Sequence, residues 1–378
     1  MMSTTDALDH ALDAHGQDPD LPMILAGLWD RDGTRYLGAR GTLDRSSGEA
    51  ATPAARFALA SMTKPLATVA VLQQVEAGTL ELEAPMTAYL PNRSLELLEV
   101  GSDGSLQRRA PARAPTLHEL LTHTSGFSYE FLSGTLLSAV QAGAVPSLFA
   151  DPIGGLEAPL VFEPGSAWGY GIGIDVAGQI LEAVLGEGLD AILAKQLFEP
   201  LGMTQTSFNP DETGMAKVHV GEGSALQGLP PAPQHPSGGA GLFSTLEDYG
   251  RFLRALLRGG ELDGQRILSE AMVARLGANQ IAPLAVTPMT SVLPAMSQDS
   301  DMGFGSEASW GYGFLRHEGP GDHGRQAGSL SWAGLFNSYF WLDGATGLAG
   351  VWATQRLPFC HPAAIAGLGA FERAAYGR

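Results

Sequence analysis

Ser61-Met62-Thr63-Lys64-Pro65-Leu66-Ala67-Thr68-Val69-Ala70-Val71-Leu72-Gln73-Gln74-Val75 is the stretch around which the chain is organised. From Leu66 onward, apolar residues surround most of the circumference of a helix, which predicts a helix buried in the body of the protein. Gly78 stands where a helix C-terminus favours glycine. Ser61 and Lys64, at i and i+3, share one face with Cβ atoms about 5–6 Å apart. Pro65 fits there, because the first turn of a helix needs no N–H from it. A helix N-terminus also offers free N–H groups and a positive dipole end, both suited to an oxyanion. A capping serine followed by a surface lysine would account for the same four residues without chemistry. Against that, an ammonium beside a wholly apolar face is expensive to bury unless it has a use.

The rest of the composition narrows the classes of function. The chain has 378 residues, enough for one large core or two lobes sharing an interface. At 44% hydrophobic and 16% charged it is far from the disordered regime. Lys plus Arg number 22 against 40 Asp plus Glu, a formal charge of -18, which repels phosphate backbones and anionic lipid. No nucleic-acid or membrane-surface partner is expected. Cys360 is the one cysteine, which excludes an intrachain disulfide and a cysteine metal cluster. Met1 to Asp6 lacks a basic segment leading into an apolar one, and no apolar run approaches the roughly 20 residues of a membrane span. A soluble, cytoplasmic protein is the expectation.

Residues Ala7 to Leu12 read as a short helix, and Met23 to Trp29 with Arg35 to Gly38 as two strands around the turn Asp30-Arg31-Asp32-Gly33. From about 85 to 280 the pattern is mostly helical. Leu117 to Thr122 (capped by Thr116), Asp175 to Leu185, Leu189 to Phe198 and Thr245 to Leu257 are its helices. Val218 to Gln234 and Ile281 to Asp301 read as long loops shaping a pocket entrance. Trp310 to Arg316, Asp322 to Gly328, Phe336 to Trp341 and Gly347 to Trp352 are strand-like, and Ala363 to Tyr376 is a closing helix. Strands at both ends with helices between imply one sheet built from both termini. The expected fold is α+β, an antiparallel sheet flanked by helices plus a mostly helical domain. Residues 1–84 and 281–378 would form the first domain, and 85–280 the second.

Other nucleophile and metal sites fail on spacing. No serine has the glycines of Gly-x-Ser-x-Gly. His118-Glu119 is followed by His123, and i, i+5 places two imidazoles about 140° apart on a helix. His118 and His123 are therefore read as structural or surface groups, with no metal and no cofactor expected.

Ser61-Met62-Thr63-Lys64, Leu120-Leu121-Thr122-His123-Thr124-Ser125-Gly126 and Gly238-Gly239-Ala240-Gly241-Leu242-Phe243-Ser244-Thr245 follow the order seen in serine β-lactamases and penicillin-binding proteins. Leu197-Phe198-Glu199-Pro200-Leu201-Gly202-Met203 is similar too. The chain resembles that superfamily from about residue 20 to 355, most closely the class C β-lactamase-like esterases called family VIII carboxylesterases. The resemblance implies the β-lactamase/DD-peptidase-like fold and a catalytic set of Ser61, Lys64 and Tyr170. Tyr170 lies in Trp168-Gly169-Tyr170-Gly171-Ile172, where Ile172 replaces the family's asparagine, a loss that counts against antibiotic hydrolysis. Trp332-Ala333-Gly334 matches the Lys-Thr-Gly motif in its Trp-x-Gly form, although a register centred on Gly324 or Gly328 is the alternative. An indole in place of a cation removes the partner of a substrate carboxylate and suits an uncharged ester.

The same resemblance implies an oxyanion hole from the backbone N–H of Ser61 and of Leu335, after Gly334. Tyr129 follows a segment that reaches the cleft, where it would meet substrate or Lys64. Phe127, Ile172, Trp332 and Gly334 are further substrate-binding candidates, and Trp168 and Trp310 pocket candidates, though each aromatic also suits a core. A serine needs a base beside it. Either Tyr170, its phenolate stabilised by Lys64, or a neutral Lys64 would serve, and sequence leaves the two open. A small-molecule ester is the expected partner. β-Lactam or D-amino-acid peptide hydrolysis, acyl transfer and a non-catalytic binding role are the alternatives.

Overall fold

The computed structural model describes residues 3–101, 104–211, 213–220, 235–302 and 306–378. Asp30 closes the first hairpin, its Oδ1 accepting the N–H groups of Asp32 and Gly33, each at 2.9 Å. That turn joins β1 (Met23–Asp30) to β2 (Thr34–Asp44), with the short β3 (Glu49–Ala50) beyond. Their neighbours come from the other end of the chain: β4 (Ala308–Trp310), β5 (Leu315–His317), β6 (Leu330–Gly334), β7 (Ser338–Asp343) and β8 (Leu348–Ala353). The eight strands run in the order β4-β5-β6-β7-β8-β1-β2-β3, and every neighbouring pair is antiparallel. The expected sheet from both termini is present.

Six helices matter for the site: α1 (Thr4–Gly16), α2 (Thr63–Glu76), α3 (Leu117–Thr122), α4 (Gly173–Leu185), α5 (Leu246–Leu257) and α6 (Pro362–Ala375). Successive side chains of a strand point to opposite faces, and β7 shows what covers each face of the sheet. Phe340 meets Tyr249 of α5 at 5.5 Å between centroids, whereas Trp341 meets Phe371 of α6 at 6.0 Å. Every residue of β7 is buried, the mark of a sheet covered on both sides. The α5 helix, from the middle of the chain, therefore belongs to the sheet's cover. Its approach depends on Gly250, where an added Cβ would lie 2.2 Å from the Trp29 indole of β1. Helix α2 is buried from Thr63 through Leu72, as its all-round apolar surface predicts.

Several local expectations are corrected. Trp310 to Arg316 is not one strand but the end of β4, a turn over 311–314 with Gly313 at φ +75°, and the start of β5. Asp322 to Gly328 is irregular, with left-handed glycines at Gly324 and Gly328 and no ladder partner. The edge strand expected at Trp332-Ala333-Gly334 is β6, whose five residues are all buried. The middle segment, read as mostly helical, also holds a hairpin, Leu97–Val100 with Leu106–Arg109, that was not expected. The loop read over Val218 to Gln234 lies mostly outside the described residues. Among the described residues no helix is long and apolar enough to cross a membrane.

Replacing Gly250 by alanine should force α5 away from Trp29. A loss of about 1–3 kcal/mol is expected for such overpacking, read as a lower midpoint in urea denaturation.

Candidate active site

Ser61 does not begin the long helix itself. It sits in a 3₁₀ turn, Ala60–Met62, that feeds directly into α2. Ala60 before it has φ +45°, a left-handed conformation that costs an alanine about 1–3 kcal/mol. The turn leaves Ser61 half-buried and drives Lys64, one turn on, wholly out of water at 0% exposure. A buried ammonium must be hydrogen-bonded, and this one has three acceptors. Lys64 Nζ donates to the carbonyl of Gly239 and to the hydroxyl of Tyr129, both at 2.8 Å, and lies 3.2 Å from Ser61 Oγ.

Behind Lys64 the network ends on Asp175, in the first turn of α4. Tyr129 donates its proton to Asp175 Oδ2 at 3.2 Å, and Ser237 donates to Oδ1. Burial first, then the charge of Asp175, holds the Tyr129 phenol well above its ordinary pKa, so it stays neutral and passes one hydrogen bond along. Gly239 has to be glycine, since a Cβ there would stand 1.9 Å from Asp175 Oδ2. Of the two roles left open for Tyr129, the structure shows contact with Lys64.

Tyr170 lies alongside. Its ring centroid is 5.0 Å from Lys64 Nζ, and its hydroxyl accepts from Trp332 Nε1 at 3.0 Å. An indole can only donate, so the Tyr170 proton points elsewhere. Trp332 belongs to β6, whose partner β5 pairs no further than Ser331; from Trp332 to Gly334 only β7 is bonded. The free side of that stretch meets the backbone leading into the Ser61 turn, where a Cβ on Gly334 would fall 2.2 Å from the Leu59 carbonyl. This brings the partly buried Leu335, the second expected oxyanion donor, next to the Ser61 turn. The competing glycines lie elsewhere, Gly324 against Tyr376 and Gly328 near Arg316.

Not every candidate reaches the cleft. Phe127 is 1% exposed and packs under the guanidinium of Arg93 at 5.4 Å, a core position. Ile172 is buried just before α4 and lines a second, smaller pocket with Ser128 and Tyr129. Trp168 and Trp332 line a pocket whose described walls do not include Ser61, Lys64 or Tyr170, while Trp310 lies with its centroid 4.6 Å from Trp332. Among the described residues, no three His, Cys, Asp or Glu side chains gather as a metal site.

His123 is the residue that the sequence reading passed over. His118 is structural, bonded to Tyr312 at 2.9 Å, but His123 is buried against the Tyr170 ring with centroids 4.6 Å apart. It adopts φ +58° at the end of α3. From there its carbonyl accepts Gly169 N–H at 2.8 Å and its Nδ1 accepts Gly171 N–H at 3.4 Å, so it grips both neighbours of Tyr170. Burial, then the charge of Lys64, pushes its pKa well below 6.5. The only hint in the sequence was its place in the Leu120 to Gly126 run.

A half-buried serine hydroxyl against a fully buried lysine, with a phenol on each side of the ammonium, makes this an enzyme of the serine hydrolase type. The chain belongs to the beta-lactamase family, whose model, described as Beta-lactamase, matches residues 8–373. It is 30% identical to Esterase EstB of Burkholderia gladioli over 352 residues, 83% of this chain and 81% of that protein. It is likewise 30% identical to Acyltransferase calJ of Penicillium decumbens over 329 residues, 80% of this chain and 76% of that one. The LovD6 mutant of Simvastatin Synthase (LovD) from Aspergillus terreus is similar in structure, with a TM-score of 0.81 and 26% identity. That match covers 98% of this chain and 95% of the other.

Because His123 is neutral when folded and ordinary when unfolded, the unfolded chain takes up the extra proton as pH falls below about 6.5. Stability should therefore drop with acidification through that range. His123→Gln should flatten the dependence by up to one proton, about 1.4 kcal/mol per pH unit. Urea titrations between pH 7 and 5 measure the slope, and an unchanged slope in the variant would contradict the assignment.

Proposed function

We propose that the protein is a carboxylesterase that hydrolyses small or short-acyl esters through an acyl-enzyme on Ser61. The observation that carries this reading is the 3.2 Å approach of Lys64 Nζ to Ser61 Oγ. Two of the nitrogen's directions are committed to Gly239 and Tyr129, which leaves the third for the serine. In the reacting form Lys64 has given up the proton it points at Ser61 and keeps its N–H bonds to Gly239 and Tyr129. It becomes the ammonium again by taking the Ser61 proton while the oxygen attacks the ester carbonyl. The oxyanion then forms against the backbone N–H groups of Ser61 and Leu335, each such donor contributing about 10²–10³ in turnover. Tyr170, whose oxygen is held by Trp332 and whose own proton is uncommitted to it, protonates the departing alkoxide. The proton that Lys64 took then restores the Tyr170 phenol, which leaves both groups as they began. Water repeats the sequence to release the acid.

An ester rather than a β-lactam is favoured by what stands at the two variable positions. Ile172 offers no amide to a side-chain acyl group and is buried away from the cleft. Trp332 offers an indole where β-lactamases place a cation for the substrate carboxylate. Acyl transfer to an alcohol is the second reading, because a relative of similar identity is named an acyltransferase. It needs the same acyl-enzyme and differs only in the second acceptor.

Ser61→Ala should abolish hydrolysis of p-nitrophenyl butyrate, by at least about 10⁴-fold if the nucleophile is lost, with the far-UV spectrum unchanged. A fluorophosphonate should label the native chain at Ser61 and leave the variant unlabelled. Residual turnover within tenfold of native would refute the covalent route. Added methanol or butanol, with the ratio of new ester to free acid followed, separates hydrolysis from transfer.

A further inference from the structure

The buried Lys64 ammonium has three acceptors, a carbonyl, a phenol and a serine hydroxyl, and none of them is a charged group. A carboxylate stands one group further out. Tyr129 Oη accepts from Lys64 Nζ at 2.8 Å and donates to Asp175 Oδ2 at 3.2 Å. The same carboxylate lies against Gly239, whose carbonyl is another of the acceptors, so closely that a Cβ there would be 1.9 Å from Oδ2. Asp175 therefore backs two of the three groups that hold Lys64, and it is itself 4% exposed. In the first turn of a helix a carboxylate ordinarily serves the free N–H groups of that helix. The hydrogen bonds that Asp175 accepts come instead from Tyr129 and Ser237, both outside α4. Of the other titratable groups facing Lys64, Tyr170 turns its ring to the ammonium at 5.0 Å, and His123 packs on that ring at 4.6 Å. Burial keeps His123 neutral, as it does Tyr129.

We propose that Asp175 is a positioning residue of the reaction: from behind Tyr129 and Gly239 its charge decides how firmly Lys64 holds a proton, and so the pH at which Ser61 is activated. The inference rests on the reading of Lys64 as the base of Ser61 and goes one group beyond it. No proton travels along the path. Tyr129 keeps its own, because burial and the Asp175 charge hold the phenol well above its ordinary pKa, and it only turns its oxygen towards the ammonium. What Lys64 feels is the field of the carboxylate. An opposite charge within about 4–6 Å favours the charged form of a group by about 1–3 pKa units. When Lys64 takes the Ser61 proton, that field stabilises the ammonium being formed. With the charge removed, Lys64 becomes a weaker base that is free of its proton at lower pH.

Asp175→Asn keeps the shape and an acceptor for Tyr129 while removing the charge, and Asp175→Ser, smaller and also neutral, is made beside it. The rate of Ser61 labelling by a fluorophosphonate is followed against pH, together with kcat/KM for p-nitrophenyl butyrate. In both variants the acid limb of each profile should move down by about 1–2 pH units. The plateau above it should fall by about tenfold or more, since a weaker base assists the attack less. A purely structural role for Asp175 would lower both rates and leave the limb where it stands in the native chain. A limb that stays in place, or moves up, in a variant whose far-UV spectrum is native overturns the inference. If the native chain is labelled but cleaves no ester, the esterase reading falls, and a shifted limb in labelling still supports the role of Asp175. A native chain that takes no label at any pH overturns both.

Discussion

An ammonium with no exposure to water is the constraint around which this molecule is arranged. Lys64 can be buried at the foot of α2 only because a backbone carbonyl, a phenol and a serine hydroxyl converge on it. Each of those groups comes from a different part of the chain, and each is itself held in place. Gly239 comes within reach because it has no side chain to strike Asp175. Tyr129 faces Lys64 with its oxygen because Asp175 takes its proton. Losing one partner would leave a polar group buried without company, which typically costs about 1–3 kcal/mol and more for a charge. The setting of Ser61 is thus tied to the same hydrogen bonds that make the core tolerable.

Around that centre, the sheet and the helical segments meet in a seam. The seam is narrow on the side of β6, where strand pairing stops at Ser331 and the chain from Trp332 to Gly334 lies against the Ser61 turn. On the other side, His123 grips Gly169 and Gly171 and fixes Tyr170 between them. The tyrosine is consequently held from three directions: the imidazole on its face, the indole N–H on its oxygen and the ammonium over its ring. Such a hold suits a group that must give and regain a proton without changing place. The aromatic character of the site follows from this arrangement. Trp168, Trp310 and Trp332 pack together on one flank, where Trp168 and Trp332 also line a pocket.

Much of this was legible before any coordinates. The Ser61 to Lys64 spacing, the all-apolar circumference of α2, the Asp30 to Gly33 turn and the Thr116 cap are local facts. Local sterics and hydrogen bonding decide them, so they survive into the fold unchanged. The motif order carried the family, and the missing Gly-x-Ser-x-Gly and zinc spacings removed the rivals. Strand β6 was legible only through its Trp332-Ala333-Gly334 motif, because a strand buried on both faces loses the alternation that reveals one. His123 was passed over because its i, i+5 spacing from His118 argues only against a metal. It says nothing of an aromatic ring brought in from elsewhere in the chain.

The sequence by itself determined that Ser61 and Lys64 stand side by side, because helical backbone sets the distance between i and i+3 whatever surrounds it. Only the tertiary structure decided which groups receive the lysine's other protons, which tyrosine meets it by hydrogen bond and which by its ring, and which aromatics line a pocket. Those relations join residues 65 to 175 positions apart in the chain, as Lys64 to Tyr129 and Lys64 to Gly239 show. Contacts of that range are set by packing and by the demand that every buried polar group find a partner. No local pattern of residues records them.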